Sequence, residues 1–90
     1  MYKVEGTNKG EIKLYALSTC IWCKKTRQLL DDSAVEYNYV YVDELTGEEK
    51  SAVKDELKQW NPECSYPTVI INGRCIVGYD EDEITAELNK

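Results

Sequence analysis

The strongest constraint on this chain is the order in which two hydrophobic periods succeed each other. Ile12, Leu14 and Ala16 alternate with Lys13 and Tyr15, the period of a strand over residues 11–17. Ser18 and Thr19 then offer N-capping oxygens to a helix over residues 21–32. Its apolar stripe is Trp22, Thr26, Leu29 and Leu30, with Lys24, Lys25, Gln28, Asp31 and Asp32 toward water. Residues 37–42 form a second strand, Tyr37, Tyr39 and Tyr41 on one side and Val40 and Val42 on the other, a pattern that predicts an internal strand. Thr46 and Glu49 have capping-box spacing, and the helix they open carries Val53, Leu57 and Trp60. Two short strands, 68–71 and 74–77, flank the hairpin dipeptide Asn72-Gly73. Asp80 and Glu83 then cap a last helix with Ile84 and Leu88.

A strand–helix–strand crossover is right-handed and its strands are parallel, whereas the final hairpin is antiparallel. The expected fold is α/β, a four-stranded mixed sheet with helices on both faces, over residues 11–90. Residues 1–10 are a polar N-terminal extension containing Gly6, Asn8 and Gly10. Two readings stand for it: a tail, or a short edge strand at 2–5 that turns back through 6–10.

Ninety residues hold one such domain, without internal repeat or low-complexity segment. The formal net charge of −6 argues against nucleic acid or an anionic membrane as principal partner. No apolar run approaches the roughly 18 residues of a membrane span, and the N-terminus does not read as a signal peptide. A cytoplasmic monomer is the expectation. The chain has no His, which excludes His-based catalysis and zinc sites with a His ligand. Attention falls on its four cysteines, Cys20, Cys23, Cys64 and Cys75.

Cys20-Ile21-Trp22-Cys23 follows a strand and opens a helix. There the free backbone N–H groups and the positive end of the helix dipole favour a thiolate at Cys20. Cys23 lies one turn on, close enough to resolve a mixed disulfide on Cys20, which is the minimum arrangement for thiol–disulfide exchange. Residues 12–30 hold Lys13, Lys24, Lys25 and Arg27 and no acid, and Lys24 and Lys25 are the expected thiolate-stabilising charges. The same spacing also suits a metal knuckle, for which Cys64 and Cys75 would have to be the other ligands. The hairpin sets Cys75 opposite Ile70, and Cys64 precedes Ile70 by six residues, about 20 Å of extended chain. That distance disfavours both a four-cysteine metal site and a Cys64–Cys75 disulfide. Redox chemistry without a bound metal is the expected reading. Cys75 is read as a packing residue, and Cys64 either as an ordinary loop residue or as a modulating third thiol.

These residues resemble the glutaredoxin branch of the thioredoxin superfamily. The resemblance spans about residues 11–89. It rests on the segment from Leu14 to Lys25 around the cysteine pair, on Ser65-Tyr66-Pro67-Thr68-Val69-Ile70-Ile71, and on Val77-Gly78-Tyr79-Asp80. It implies the thioredoxin/glutaredoxin fold, Cys20 and Cys23 as catalytic thiols, a cis Pro67, and Tyr66 facing Cys20. It also implies a substrate site drawn from Trp22, Tyr66, Pro67, Thr68, Gly78, Tyr79 and Asp80. The implied activity is cytoplasmic reduction of protein disulfides by a dithiol mechanism. No cofactor beyond the Cys20–Cys23 disulfide is expected, with glutathione as a possible electron donor.

Three departures bear on that donor. Ile21 stands where the family usually has Pro, as in some members that assemble an iron–sulfur cluster with glutathione. Leu17 matches the basic residue that often helps to hold glutathione, and Gly78-Tyr79 replaces Gly-Gly. The last pattern is similar to redoxins fed by a thioredoxin-reductase-type or ferredoxin-linked donor, and the segment from Trp60 to Thr68 is similar to small glutaredoxin-like proteins of anaerobes. The alternatives are a glutathione-dependent glutaredoxin and an iron–sulfur or metal carrier.

Overall fold

The period-two stretches become strands and the period-3.6 stretches become helices, in a computed structural model that describes all residues from Met1 to Lys90. In chain order these are β1 (Tyr2–Val4), β2 (Ile12–Ala16), α1 (Ile21–Asp32), β3 (Tyr37–Tyr41), α2 (Gly47–Trp60), β4 (Thr68–Ile71), β5 (Arg74–Val77) and α3 (Glu81–Leu88). A 3-10 turn, Val42–Glu44, follows β3. The sheet order is β1-β3-β2-β4-β5. β2 and β3 are parallel, with Leu14 opposite Tyr39 and Ala16 opposite Tyr41. β4 pairs antiparallel with β2, and β5 with β4, Ile70 facing Cys75 as the two-residue turn requires.

The sheet has five strands and not four. Tyr2–Val4 pairs antiparallel with β3, so the N-terminal segment is an edge strand and not a tail. Its side chains gave little warning, because Tyr2 and Lys3 are exposed and backbone pairing holds the strand. The return to β2 is fastened by Asn72 of the β4–β5 turn. Asn72 accepts from Glu11 N–H at 2.8 Å and donates to the Lys9 carbonyl at 3.0 Å. Gly10, at φ 107, passes so close that a Cβ there would strike the Asn72 side chain.

Both faces of the sheet are covered. On one, α1 and α3 supply Cys23, Leu30, Ile84 and Leu88 against Ile12, Leu14, Ala16, Tyr37, Val69, Ile71 and Ile76. On the other, Leu57 of α2 packs on Tyr15, Val40, Val42 and Ile70. Tyr15, expected on the polar side of its strand, is fully buried because β2 lies mid-sheet; its hydroxyl donates to Glu56 of α2. That bond and burial together push the Tyr15 hydroxyl above its ordinary range, burial contributing most. Trp60, expected on an apolar stripe, is exposed; Trp22 is exposed too, as an aromatic at the rim of the cysteine motif would be and not as a residue of the apolar stripe, and the buried face of α1 is Cys23, Thr26 and Leu30. The expected Thr46 cap makes no side-chain bond. Thr46 occupies the N-cap position of α2, and the left-handed φ of 57 at Gly47 just after it departs from helical geometry in the first turn that its side chain would cap. Asp80 does cap α3, accepting from Glu83 N–H at 3.0 Å. No helix is long and apolar enough to cross a membrane.

Candidate active site

The parallel pair β2 and β3 ends at one edge of the sheet, and the chain leaving β2 turns there into α1. Cys20 N–H donates to the Leu17 carbonyl at 3.2 Å, which closes the turn. The helix cap is not Ser18 or Thr19 but Cys20 itself. Its backbone is extended, at φ −86 and ψ 118, and its sulfur accepts the Cys23 N–H at 3.2 Å. A capping atom does this best when it is negatively charged, because the unsatisfied N–H groups and the helix dipole both face it. The first turn of α1 holds no acid to oppose that charge.

Cys23, one turn on, is 1% exposed. Burial first, then the neighbouring Cys20 sulfur, raises its thiol well above the ordinary cysteine range. The pair is therefore unequal: a half-exposed sulfur at a helix terminus in front of a buried, protonated one. Ser18, released from capping, binds Asp43 of the 3-10 turn instead. Its N–H donates to one carboxylate oxygen at 2.8 Å and its hydroxyl to the other. These two bonds hold the Asp43 carboxyl below the usual carboxylate range. An acid thus stands beside a stretch that has none of its own.

The Tyr66–Pro67 peptide bond is cis, as the resemblance implies. Tyr66 packs against the same core cluster as Cys20 and Cys23, and burial raises its hydroxyl, with Cys64, Asp43 and Cys23 adding to the effect. Trp22, Tyr66, Pro67, Gly78 and Tyr79 line one shallow groove of ≈ 240 Å³. Across it Trp22 stacks on Tyr79 at 5.9 Å between ring centroids. The Gly78 N–H donates to the Pro67 carbonyl at 2.8 Å, which ties the two loops together. Five of the expected substrate-site residues therefore meet in space.

The other expected site residues have different surroundings. Thr68 is 0% exposed and its hydroxyl donates to the Ser65 carbonyl at 2.8 Å, so its side chain supports the loop from beneath. Asp80 is occupied as the α3 cap. Lys25 lies over the Trp22 ring at 4.9 Å, and Lys24 lines a polar groove with Arg27, Gln28, Asp31 and Tyr41. Arg27 bonds the Tyr37 and Tyr41 hydroxyls and covers the Tyr39 ring, while Lys13 pairs with Glu11 and Glu56. The members of the basic stretch thus have several different partners. Cys75 and Cys64 each pack against the margin of the α2-side core, Cys64 with a left-handed φ of 51. No three Cys, Asp or Glu side chains converge as a metal site.

Sequence reasoning missed two residues here. Asn61, buried at 6% exposure, donates to Ser65 Oγ at 2.9 Å and Thr68 Oγ1 at 3.1 Å and accepts from Glu63 N–H at 3.2 Å. It staples the loop that carries Tyr66 and Pro67. The available signal was an Asn-Pro step directly after a helix. Asp43 was the other, visible only once β2 and β3 are set in parallel register.

Known proteins share this fold. A family profile for glutaredoxins matches residues 12–76. A glutaredoxin-like 8.6 kDa protein of the rubredoxin operon of Clostridium pasteurianum is 30% identical over 79 residues, 88% of this chain and 99% of that one. The structure of a glutaredoxin from Methanosarcina mazei superposes with a TM-score of 0.90 at 46% identity, covering 99% of this chain and 87% of the other. Methanoredoxin of Methanosarcina acetivorans gives 0.89 at 45% identity, covering 94% and 90%. The capping cysteine, its buried partner and the cis-proline loop are thus set in a fold shared nearly end to end with these proteins, and the chain belongs to the glutaredoxin family.

Proposed function

We propose that the protein is a cytoplasmic thiol–disulfide oxidoreductase that reduces protein disulfides by a dithiol mechanism. The observation that carries this reading is the placement of the Cys20 sulfur at the N-cap of α1, with Cys23 buried one turn behind it. Cys20, as thiolate, attacks one sulfur of a substrate disulfide. A Cys20–substrate S–S bond forms, the substrate S–S bond breaks, and the departing thiolate takes up a proton. Cys23 then loses its proton and attacks the Cys20 sulfur. The Cys20–Cys23 bond forms, the second substrate thiolate leaves, and two electrons have passed to the substrate.

Cys23 is suited to the second role. Its burial keeps it protonated until the mixed disulfide brings a sulfur within reach. The groove of Trp22, Tyr66, Pro67, Gly78 and Tyr79 receives the substrate chain. The chemistry needs no bound cofactor, since the two sulfurs carry the electrons. The expected potential is on the order of −200 to −270 mV, the range of cytosolic reductants of this kind.

A thioredoxin-reductase-type or ferredoxin-linked donor suits the site better than glutathione does. No cation holds the position of Leu17, and the Tyr79 ring stacked on Trp22 fills ground next to Gly78. The test uses two variants. Cys20→Ser abolishes disulfide reduction, and Cys23→Ser accumulates mixed disulfides that mass spectrometry of a cell extract identifies, donor included. An active Cys20→Ser protein overturns the mechanism. Rapid turnover with glutathione on a small mixed disulfide overturns the assignment of the donor.

A further inference from the structure

We propose that the polar groove along α1 receives an acidic side chain of the substrate, so that the preferred substrates are disulfides with an Asp or Glu about three residues from the attacked cysteine. The inference rests on the thiol–disulfide reading above and names the substrate class of that same site. Lys24, Arg27, Gln28 and Asp31 follow Cys20 at four, seven, eight and eleven residues. At the helical period they lie on the side of α1 that begins at Cys20. With Tyr41 at the end of β3 they line a groove of ≈ 250 Å³.

One cation in this groove is held ready. Arg27 Nε donates to the Tyr37 hydroxyl at 3.2 Å, its Nη1 donates to the Tyr41 hydroxyl at 3.1 Å, and the guanidinium lies 4.0 Å over the Tyr39 ring. All three partners are tyrosines, so the charge is oriented without being neutralised, and Nη2 keeps its donors. Lys24 is exposed, and neither it nor Arg27 is in an ion pair. The acids of this helix have other partners. Asp31 accepts the Tyr37 hydroxyl proton at 2.6 Å and so reaches Arg27 only through it, and Asp32 accepts from the Gln28 amide at 2.8 Å. A fixed guanidinium fork beside a mobile ammonium suits a carboxylate.

The position says where that carboxylate comes from. At 1.5 Å per residue Arg27 stands about 10 Å along the helix from Cys20. An extended chain covers about the same distance in three residues. A substrate cysteine bonded to Cys20 can therefore bring its third neighbour to the guanidinium. Charge points the same way. All 17 acidic side chains lie outside residues 12–30, which hold four basic ones. A chain of net charge −6 repels acidic partners on the whole, so an acid-free flank beside the reactive sulfur selects the orientation in which one is accepted.

The test compares two peptides, each closed by one internal disulfide and alike except for Glu or Gln three residues outside both cysteines. Chromatography follows their reduction by the dithiol form of the protein, and the result is the ratio of the two rate constants, Glu over Gln. Changes in the thiols or in the fold act on both peptides and cancel in that ratio. For the wild type it should be roughly 3- to 10-fold at low ionic strength, the scale of one or two partly exposed ion pairs. At about 1 M salt, where the Debye length is about 3 Å, it should fall below about twofold. Arg27→Gln should bring the low-salt ratio to about one and Lys24→Gln to about half the wild-type value. If Arg27→Gln does not fold, Lys24→Glu at its exposed position carries the same test and should bring the ratio to about one or below. A wild-type ratio near one, or a ratio that the substitutions leave unmoved, overturns the proposal. Glutathione disulfide, which also bears carboxylates, is the third substrate. If Arg27→Gln slows its reduction more than that of the Glu peptide, the groove serves a small thiol and the substrate class is overturned. A wild-type dithiol that reduces neither peptide overturns instead the reading on which the inference rests.

Discussion

Replacing Asn61 with Ala should damage stability and substrate binding together, because this one side chain holds the loop that presents Tyr66 and Pro67. It makes three well-formed hydrogen bonds, to Ser65 Oγ at 2.9 Å, to Thr68 Oγ1 at 3.1 Å and from Glu63 N–H at 3.2 Å. A net value of about 0.5–1.5 kcal/mol each brackets the loss at about 1.5–4.5 kcal/mol. The geometry narrows this. Ser65 and Glu63 lie near the surface, where water can replace the lost partner. Thr68 is fully buried, yet its hydroxyl keeps its own bond to the Ser65 carbonyl. A loss of about 2–3 kcal/mol is expected, which for a domain of this size lowers Tm by about 10–20 °C.

Urea unfolding followed by circular dichroism measures the stability, and reduction of a protein disulfide measures the loop. KM should rise more than kcat falls, since the cysteines are untouched. The variant Thr68→Val, alone and combined with Asn61→Ala, completes a double-mutant cycle whose coupling should exceed about 0.5 kcal/mol. A change below about 0.5 kcal/mol in Asn61→Ala, with KM unaltered, would refute the claim that Asn61 braces the site.

Two further outcomes follow from the same geometry. Iodoacetamide at neutral pH should modify Cys20 well before Cys23, because Cys23 is 1% exposed and its burial keeps it protonated; peptide mapping reads the order, and equal labelling would contradict it. Gly6→Ala should loosen the edge strand, since the new methyl would meet the Val35 carbonyl carbon at 2.6 Å and the Ala34 oxygen at 2.8 Å. Faster amide exchange in the β1–β3 ladder, with a global loss of about 1–3 kcal/mol at most, is the expected signature.

What could be read from the sequence divides along the range of the interactions involved. The helices, the hairpin and the central strands are written in local periodicity, and so is the cysteine pair, whose members are one turn apart. Edge strand β1 is held by backbone pairing to a strand more than thirty residues away, and its exposed Tyr2 and Lys3 carry no burial pattern to betray it. Tyr15 reads as polar-side from alternation alone, and only the position of β2 between β3 and β4 buries it. The Thr46 cap fails for a backbone reason, the left-handed Gly47. The basic stretch around the thiols is real in the sequence, and folding adds aromatic partners for Lys25 and Arg27 and acidic ones for Lys13 that the linear order does not show.

The same division says how the site should respond to change. Its reactive parts are local: Cys20 caps the helix in which Cys23 sits, so the inequality of the two sulfurs is a property of one turn of α1. Its supports are distant in sequence, Asp43 gripping Ser18 across the parallel pair and Asn61 gripping Thr68 across the cis-proline loop. Substitutions at the cysteines should therefore abolish exchange with little effect on folding. Substitutions at the supports should leave exchange possible and alter its KM or the stability of the loop. Asn61 is buried and neutral and acts through hydrogen bonds, so its influence should be the same at every pH at which the fold persists.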